Sequence, residues 1–221
     1  SKLPSYASSH SFSHTFFNEI TIYHTHLKSL LNGHFLTDPI ITFYLMHLQQ
    51  RHGKDCSSKC LFVNASLSWM FLMLPEEDLV EQLSFLNLND ADLIFLPVNN
   101  SSASEQADSG THWSLLMFHR AKQRFYYYDS SRNFNVRVAR QFAHKLIRAM
   151  QCEEVKFESR RTPQQQNTYD CGVFVCAIAE ALAKCAGDDS ALHDLVSQQM
   201  VTDMRDEILE LIGDYVSGQR L

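Results

Sequence analysis

The amino-acid sequence predicts a single α+β domain, and three observations lead to that prediction. Short runs of aromatic and aliphatic residues with the length of strands alternate with longer segments of helical character. No internal repeat interrupts this pattern. The composition is 45% hydrophobic and 20% charged over 221 residues and shows no second regime, which is typical of a globular protein with one substantial core.

The N-terminal part of the chain combines a polar tail with a helix. Residues 1–14 are rich in serine and lack periodicity, so we expect a flexible tail, and the domain is expected to occupy residues 15–221. The segment 36–49 has helical character, because Thr37 or Asp38 can cap a helix whose first turn holds a proline.

The middle of the chain is predicted to contain a helix, a strand and a loop in that order. An acidic run after Pro75 favours a helix over residues 76–86, because carboxylates stabilise the first turn. The apolar run 92–98 is typical of a buried strand. The polar stretch 99–110 is long for a connection, which is typical of a mobile or functional loop.

The second half of the chain supplies a hairpin, one more strand and three helices. Two aromatic-rich runs separated by a short polar link favour an antiparallel hairpin of residues 112–118 and 124–129. A strand is expected over 154–159, and helices are expected over 135–150, 171–185 and 201–213. The helix that begins at residue 171 is apolar nearly all round, which indicates that it is buried.

Composition and charge argue against several classes of function. A net charge of −6 and a pI of about 6.0 do not favour a nucleic-acid partner, because phosphate binding calls for a basic surface. No apolar run reaches the roughly 18 residues of a membrane span. Six cysteines are too few for a disulfide scaffold, and with no secretory signal the chain is expected in the cytoplasm or nucleus, as a monomer.

One cysteine stands in a polar setting that suits a reactive thiol. Cys171 follows a polar run and begins the predicted buried helix. The unpaired N–H groups and partial positive charge of a helix start favour a thiolate, the form in which cysteine is nucleophilic. Asp170 can cap this helix, although its own charge opposes the thiolate and makes a cationic histidine partner more necessary.

Among the eleven histidines, His112 has the most informative context. If the hairpin is centred between Arg120 and Ala121, His112 lies directly opposite Asp129, with Cβ atoms about 4.5–5.5 Å apart on one face. Such a carboxylate holds an imidazole's tautomer and stabilises its cation. A register slip of one residue would place the two on opposite faces. The pattern predicts a His, Asp, Cys triad, with three glutamines at 164–166 as equal candidates for an oxyanion donor.

The segments that carry these residues resemble the ubiquitin-like-protein-specific cysteine proteases, the sentrin/SUMO protease family. The blocks GTHWSLL (110–116), YYYDS (126–130) and QQNTYDCGVFVC (165–176) match in order and spacing, and the likeness covers most of residues 19–213. The resemblance implies a papain-like α+β fold. In that fold helices flank a central mixed sheet, and the nucleophile lies at the N-terminus of a buried helix.

The resemblance also implies the roles of individual residues. It makes His112 the general base, Asp129 its orienting acid and Cys171 the nucleophile. The family's oxyanion glutamine lies six residues before the cysteine, which selects Gln165. Trp113 is expected to line a narrow channel for a diglycine tail.

A departure from the family pattern affects the predicted substrate site. The family's N-terminal Trp-Leu-Asn-Asp-like block is replaced here by FLTD at 35–38. Phe35 then stands for the tryptophan that covers the channel, and Asp38 stands for the acid that contacts the modifier's tail.

The resemblance favours the deneddylase branch, which removes the ubiquitin-like modifier carried by cullins, because the tyrosine in QNTYDCG is typical of that branch. Cleavage after the modifier's C-terminal Gly-Gly is therefore the expected reaction. A preference for SUMO or ubiquitin, a family-related acetyl transfer and a modifier-binding module without activity remain alternatives. No cofactor or metal is expected, because the expected reaction requires none. His52, Cys56 and Cys60 could begin a zinc site, but structural zinc takes four ligands and no fourth is evident nearby.

Overall fold

The computed structural model describes residues 20–52, 58–86, 88–101, 110–152 and 154–217, together with the backbone of 14–17. The strands of these residues are β1 (His14–Phe17), β2 (Ile20–Tyr23), β3 (Cys60–Phe62), β4 (Leu93–Asn99), β5 (Trp113–His119), β6 (Arg124–Tyr128) and β7 (Lys156–Ser159). The helices are α1 (His24–Leu27), α2 (Asp38–His52), α3 (Ala65–Met73), α4 (Glu76–Ser84), α5 (Val136–Ala149), α6 (Cys171–Lys184), α7 (Leu192–Leu195) and α8 (Gln198–Val216).

A mixed five-stranded sheet forms the centre of the fold. Its strand order is β3-β4-β5-β6-β7, and a separate antiparallel pair joins β1 to β2. The central strand β5 is antiparallel to both β4 and β6, whereas the edge strands β3 and β7 run parallel to β4 and β6, respectively. The predicted α+β class with a mixed sheet flanked by helices is therefore confirmed.

Alternating side chains of the sheet supply two hydrophobic cores, one on each face. Leu115 and Met117 of β5 belong to the core shared with α2, α6 and α8, whereas Leu116 and Phe118 belong to the core that contains α5. This alternation follows from the two-residue period of a strand. Because both faces are covered, β4 is buried along its whole length, in agreement with its apolar sequence.

Every helix and strand predicted from the sequence is present, and the structure adds several elements that were not predicted. Strand β3 has only three residues and carries too little pattern to be seen in the sequence. Helix α3 is apolar on all sides and lacks a helical period, although its cap, in which the Asn64 side chain accepts a hydrogen bond from the Leu67 N–H, was available as a signal. Helix α8 begins before the expected residue 201, because Ser197 caps it.

The hairpin of β5 and β6 forms, but the predicted register is wrong. Leu115 pairs with Tyr128 and His119 pairs with Arg124, so the turn is centred one residue later than expected. The connection consists of residues 120–123 and ends with Gln123 at a φ of 50°. Each residue of one strand therefore faces a partner two positions away from the expected one. A shift of two residues keeps every side chain on its predicted face.

The nucleophile's helix makes a close contact with the start of α2. At Gly172, a Cβ atom would lie 2.9 Å from the Cβ of Leu36 and 3.2 Å from the Cδ1 of Ile41. Only a glycine allows the two helices to approach this closely. The segment around residues 35–38 is thereby held beside the first turn of α6.

Two features predicted from the sequence lie mostly outside the residues that the structure describes. The tail at 1–14 is described only at the backbone of His14, which begins β1, and the polar loop is described only at its two ends, since 102–109 are not described. Over the described ranges, no helix combines the length and the apolar character needed to cross a membrane.

Candidate active site

Cys171 is the first residue of α6 and is completely buried. The N–H groups of a first helical turn have no partner within the helix, so they are available to an anion at this position. The expectation that the Asp170 side chain caps the helix is wrong. Asp170 occupies the N-cap position, but its side chain makes no capping hydrogen bond.

The Asp170 carboxylate instead forms a buried ion pair with Arg205 of α8. The Nε of Arg205 donates to Oδ1 of Asp170 at 2.9 Å, and an Nη atom approaches the same oxygen at 2.7 Å. The other carboxylate oxygen accepts hydrogen bonds from the side-chain amides of Asn167 and Gln198, both at 2.6 Å. The negative charge beside Cys171, which the sequence presents as an obstacle to a thiolate, is thereby compensated.

Arg205 also binds the chain that leads to α2. Its guanidinium donates to the backbone carbonyls of Ser29 at 2.8 Å and His34 at 2.9 Å. It donates to the carbonyl of Tyr169 at 3.2 Å as well, and it lies over the ring of that residue. With 1% of its surface exposed, Arg205 is enclosed by these partners. One side chain therefore joins the start of α6, the helix α8 and the segment preceding Phe35.

His112 lies just before β5 and is fixed through its backbone as well as its ring. Its N–H donates to the side-chain oxygen of Asn100 at 3.0 Å, and its carbonyl accepts from the side-chain amide of Asn135 at 3.1 Å. The Nε2 atom lies 2.6 Å from Oδ1 of Asp129. Since Nε2 faces the carboxylate, Nδ1 is the ring nitrogen left for the hydrogen bond to Cys171.

The contact between His112 and Asp129 forms although the two residues are not directly opposed. Tyr128 faces Leu115, so the continuation of the strand brings Asp129 opposite Ser114 rather than His112. The imidazole reaches the carboxylate along the diagonal, which is possible because both side chains remain on one face. The predicted pair is therefore present, but the predicted pairing that was to produce it is not.

The Asp129 carboxylate is held by several donors besides the histidine. Oδ2 accepts from the Tyr127 hydroxyl at 2.5 Å and from the backbone N–H of Asn135 at 3.0 Å. Oδ1 accepts from the backbone N–H of Ser131 at 2.8 Å. Such a set of donors stabilises the ionised form and fixes the orientation of the side chain.

The electrostatics of the pair favour an imidazolium beside a carboxylate. Burial opposes the charged form of His112, but hydrogen bonds to Asp129 and Cys171 and the charges of these two groups outweigh it and raise the pKa of His112 to about 9. Burial likewise opposes the charged form of Asp129, but the bonds and charge of His112 and the other donors lower the pKa of Asp129 below its ordinary value. The site can therefore hold a proton on the imidazole at neutral pH.

The three consecutive glutamines have different environments. The Gln164 side-chain amide donates to the carbonyls of Asp129 and Thr162, so both of its hydrogens are used. The Gln165 amide donates to the carbonyl of Asn167 at 2.6 Å, which leaves one hydrogen for another acceptor. The side chain of Gln166 is exposed. Of the two glutamines that are fixed by side-chain bonds, Gln165 is the one with a donor to spare.

The residues expected to bind substrate differ in their accessibility. Phe35 is 47% exposed, so its ring is accessible to a ligand. Asp38 and Trp113 are 5% and 4% exposed, so neither presents much surface in this conformation. Leu36 lies against Gly172, and this contact places Phe35 and Asp38 near the nucleophile.

Three supporting residues were not identified from the sequence. Tyr127 had a signal, because it lies two positions before Asp129 on the same face of a strand. Asn135 had a weaker one, since asparagine before a helix is typical of a cap. Arg205 interrupts the buried apolar stripe of α8 between Val201 and Ile208, and a charge at such a position indicates a buried partner.

The second cysteine of α6 and the candidate metal ligands show no sign of a further reactive site in the described residues. Cys176 is fully buried within α6, and burial raises the pKa of its thiol, which keeps it protonated. Among the described residues, no group of three or more histidine, cysteine and acidic side chains could hold a metal ion. Cys56, one of the three ligands considered above, lies outside the described residues.

Comparisons with known proteins agree on one family. The model of the Ulp1 protease family, C-terminal catalytic domain, matches residues 34–215. NEDD8-specific protease 1 of Arabidopsis thaliana is 33% identical over 200 residues, which cover 85% of this chain and 87% of the relative. Sentrin-specific protease 8 of Homo sapiens is 31% identical over 182 residues, which cover 80% and 85%.

Solved structures share the fold at lower identity. The SUMO protease Ulp1 with its catalytic cysteine oxidised to a sulfinic acid superposes with a TM-score of 0.69 at 20% identity, over 94% of this chain and 90% of that one. The Ulp1 protease domain in complex with SMT3, the yeast ortholog of SUMO, has a TM-score of 0.68 at 20% identity, over 93% and 89%.

Replacing Arg205 by methionine is expected to lower the free energy of unfolding by about 3–5 kcal/mol, because it leaves the Asp170 carboxylate buried without its cation. The double variant Asp170→Asn/Arg205→Met should regain part of this loss. Arg148→Met removes an exposed ion pair to Glu76 and is the matched control, with an expected cost of about 1 kcal/mol or less. Urea unfolding measures all three. Equal costs for the two single arginine variants would contradict the structural role given to Arg205.

The raised pKa of His112 predicts a pH dependence of stability. The folded pKa of about 9 exceeds the unfolded value near 6.5, so the stabilisation is fully present below pH 6.5 and is lost as the pH rises through 9. The loss should be at most about 3 kcal/mol. Urea unfolding from about pH 6 to about pH 10, a range that includes the whole window, should show the fall in the wild type and a flatter profile in His112→Gln. Parallel profiles would show that His112 does not titrate in this way.

Proposed function

This chain belongs to the Ulp1 protease family and is a cysteine peptidase, as its sequence predicts, and from that membership we propose that it cleaves after the C-terminal Gly-Gly of ubiquitin-like modifiers. The observation that carries the proposal is a hydrogen-bonded chain from a cysteine at a helix start through a buried histidine to a buried aspartate. This order of groups is suited to nucleophilic catalysis.

In the proposed reaction Cys171 gives its proton to His112 and attacks the carbonyl carbon of the terminal glycine. Asp129 keeps the imidazole in place and stabilises its cation, which the raised pKa of His112 supports. The collapse of the tetrahedral intermediate breaks the bond to the leaving amine, and His112 returns the proton to that amine. A thioester remains on Cys171.

The second half of the proposed reaction hydrolyses the thioester. His112 takes a proton from a water molecule, which attacks the thioester carbonyl, and the Cys171 thiol leaves with the proton that His112 returns. In both halves the negative charge develops on the carbonyl oxygen of the modifier. We assign its stabilisation to the backbone N–H of Cys171 and the remaining side-chain N–H of Gln165.

We propose NEDD8 as the preferred modifier and neddylated cullins as targets. The support is that relatives at 33% and 31% identity are named NEDD8-specific protease 1 and sentrin-specific protease 8. Phe35 and Trp113 are proposed to flank the diglycine, since only residues without side chains pass between two aromatic rings. Asp38, the first residue of α2, is proposed to contact the modifier's tail. We expect the reaction in the cytoplasm or nucleus.

A panel of modifiers with C-terminal electrophiles tests the chemistry and the specificity together. NEDD8, SUMO and ubiquitin probes are each incubated with the pure protein, and adducts are located by mass spectrometry. We expect a stable adduct at Cys171 with NEDD8 and no adduct with Cys171→Ala, which should still bind NEDD8. Labelling by SUMO or ubiquitin alone would move the substrate assignment, and an adduct that survives in Cys171→Ala would overturn the assignment of the nucleophile.

The neighbouring glutamines offer an internal test of the oxyanion donor. Gln165→Ala is expected to lower kcat by about 10²–10³, the typical cost of losing one oxyanion donor. Gln166→Ala removes an exposed side chain of the same type and should change kcat by about threefold or less. Hydrolysis of NEDD8 bearing a C-terminal fluorogenic amide gives both values. Equal losses in the two variants would argue against a role for Gln165 at the oxyanion.

A further inference from the structure

An exposed aromatic side chain lies directly on the proposed general base. Phe134 is 65% exposed, and its ring meets the ring of His112 edge to face, with centroids 5.4 Å apart and an interplanar angle of 71°. The contact of such a large apolar side chain with water is unfavourable, so a binding partner that covered the ring would gain free energy. His112 protonates the leaving amine in the proposed reaction, so a group in contact with His112 lies on the side of the leaving group.

The loop that carries Phe134 is held in one conformation. Arg132 and Asn133 both have positive φ angles, 49° and 62°, which side chains other than glycine adopt at a cost in free energy. The Arg132 N–H donates to the side-chain oxygen of Gln164 at 2.8 Å, and the Asn133 side chain accepts from the Ser159 hydroxyl at 2.9 Å. A surface displayed from such a loop is preorganised for binding.

A basic cleft of about 360 Å³ lies next to this loop. Its lining includes Asp129, Arg132, Arg160, Arg161 and His193. The charge of Arg160 is balanced, because it forms ion pairs with Glu158 and Asp189. Arg132 and Arg161 are exposed, and neither takes part in an ion pair with another residue in the described parts of the chain.

The charge of this cleft is positive, whereas the net charge of the whole chain is negative. The chain has a net charge of −6, and the one acid among the residues that line the cleft, Asp129, is already engaged by His112. Uncompensated guanidinium groups are suited to carboxylates, which they bind through two parallel hydrogen bonds. The cleft is therefore complementary to an acidic peptide segment.

We propose that Phe134, Arg132 and Arg161 form a docking surface for the protein to which the modifier is conjugated, and that this surface favours attachment lysines flanked by acidic residues. In this arrangement the methylenes of the lysine lie along Phe134, and the flanking carboxylates bind the two arginines. The inference rests on the proposed function, because it needs a leaving amine at His112. It adds a preference on the side of the conjugated protein, which neither the triad nor the diglycine channel provides.

The test compares two conjugates that share one modifier. NEDD8 is linked through its C-terminal glycine to the lysine ε-amine of a short peptide, with either glutamate or serine residues around the lysine. The ratio of kcat/KM for the acidic over the neutral conjugate cancels every contact with the modifier. We expect a ratio of about ten for the wild type at low ionic strength and a decline toward one at high salt.

Charge reversal at the surface should invert this preference. Arg132→Glu/Arg161→Glu is expected to bring the ratio below one, because the acidic flanks then meet like charges. The matched control is Arg137→Glu, which reverses an exposed arginine on α5 outside the cleft and should keep the wild-type ratio. A folded double variant with an unchanged ratio, or a control that lowers the ratio equally, would overturn the proposal.

The contribution of Phe134 to the docking surface is tested separately, through KM. Phe134→Ala should raise KM for both conjugates several-fold by about the same factor, because the lysine methylenes are common to them, and Phe134→Leu should restore much of the loss. An unchanged KM would remove Phe134 from the surface. A wild-type ratio of one with both conjugates cleaved would overturn the docking surface and leave the proposed function intact. Cleavage of neither conjugate would overturn both.

Discussion

The buried ion pair between Arg205 and Asp170 is the constraint on which the active centre depends. Two charges removed from water are costly unless each has a full set of partners, and here both have them. The partners belong to α8, to the chain before α6 and to the segment that leads into α2. The guanidinium of Arg205 therefore connects these three parts of the sequence. That arrangement places Cys171 at a helix start whose adjoining negative charge is neutralised.

The second half of the site depends on the edge of the sheet rather than on a helix. His112 and Asp129 lie at the ends of adjacent strands, where the ladder of backbone hydrogen bonds stops and side chains can take over. There the Tyr127 hydroxyl and the Asn135 backbone N–H donate hydrogen bonds to the Asp129 carboxylate. Because the Asp129 carboxylate is hydrogen-bonded at both of its oxygens, it can stabilise a charged imidazole and offset the cost of burying that charge.

The two halves meet so that the reaction centre has two different sides. Towards α2, the contact of Leu36 with Gly172 brings Phe35 and Asp38 close to the nucleophile, where a modifier's tail is expected. Towards the loop after β6, Phe134 contacts His112 beside a cleft lined by Arg132 and Arg161, where we propose that the conjugated protein binds.

The class of fold, the long elements and the candidates for the triad could all be predicted from the amino-acid sequence. Each of these depends on local or short-range information: the apolar period of α5, the all-apolar run of α6, and the even-numbered turn that keeps His112 and Asp129 on one face. Because parity survives a shift of two residues, the pair could be predicted correctly from a register that was wrong.

The compensation of the buried charges and the donor left free on Gln165 could not be predicted, because both depend on contacts between distant parts of the chain. The partner of Asp170 is 35 residues away on another helix, and Gln164 and Gln165 are distinguished only by carbonyls that folding brings to them. The contact of Phe134 with His112 and the basic cleft likewise join residues that no local pattern connects. Long-range electrostatics and hydrogen bonding are set by distances between elements, and a sequence pattern carries periods rather than distances.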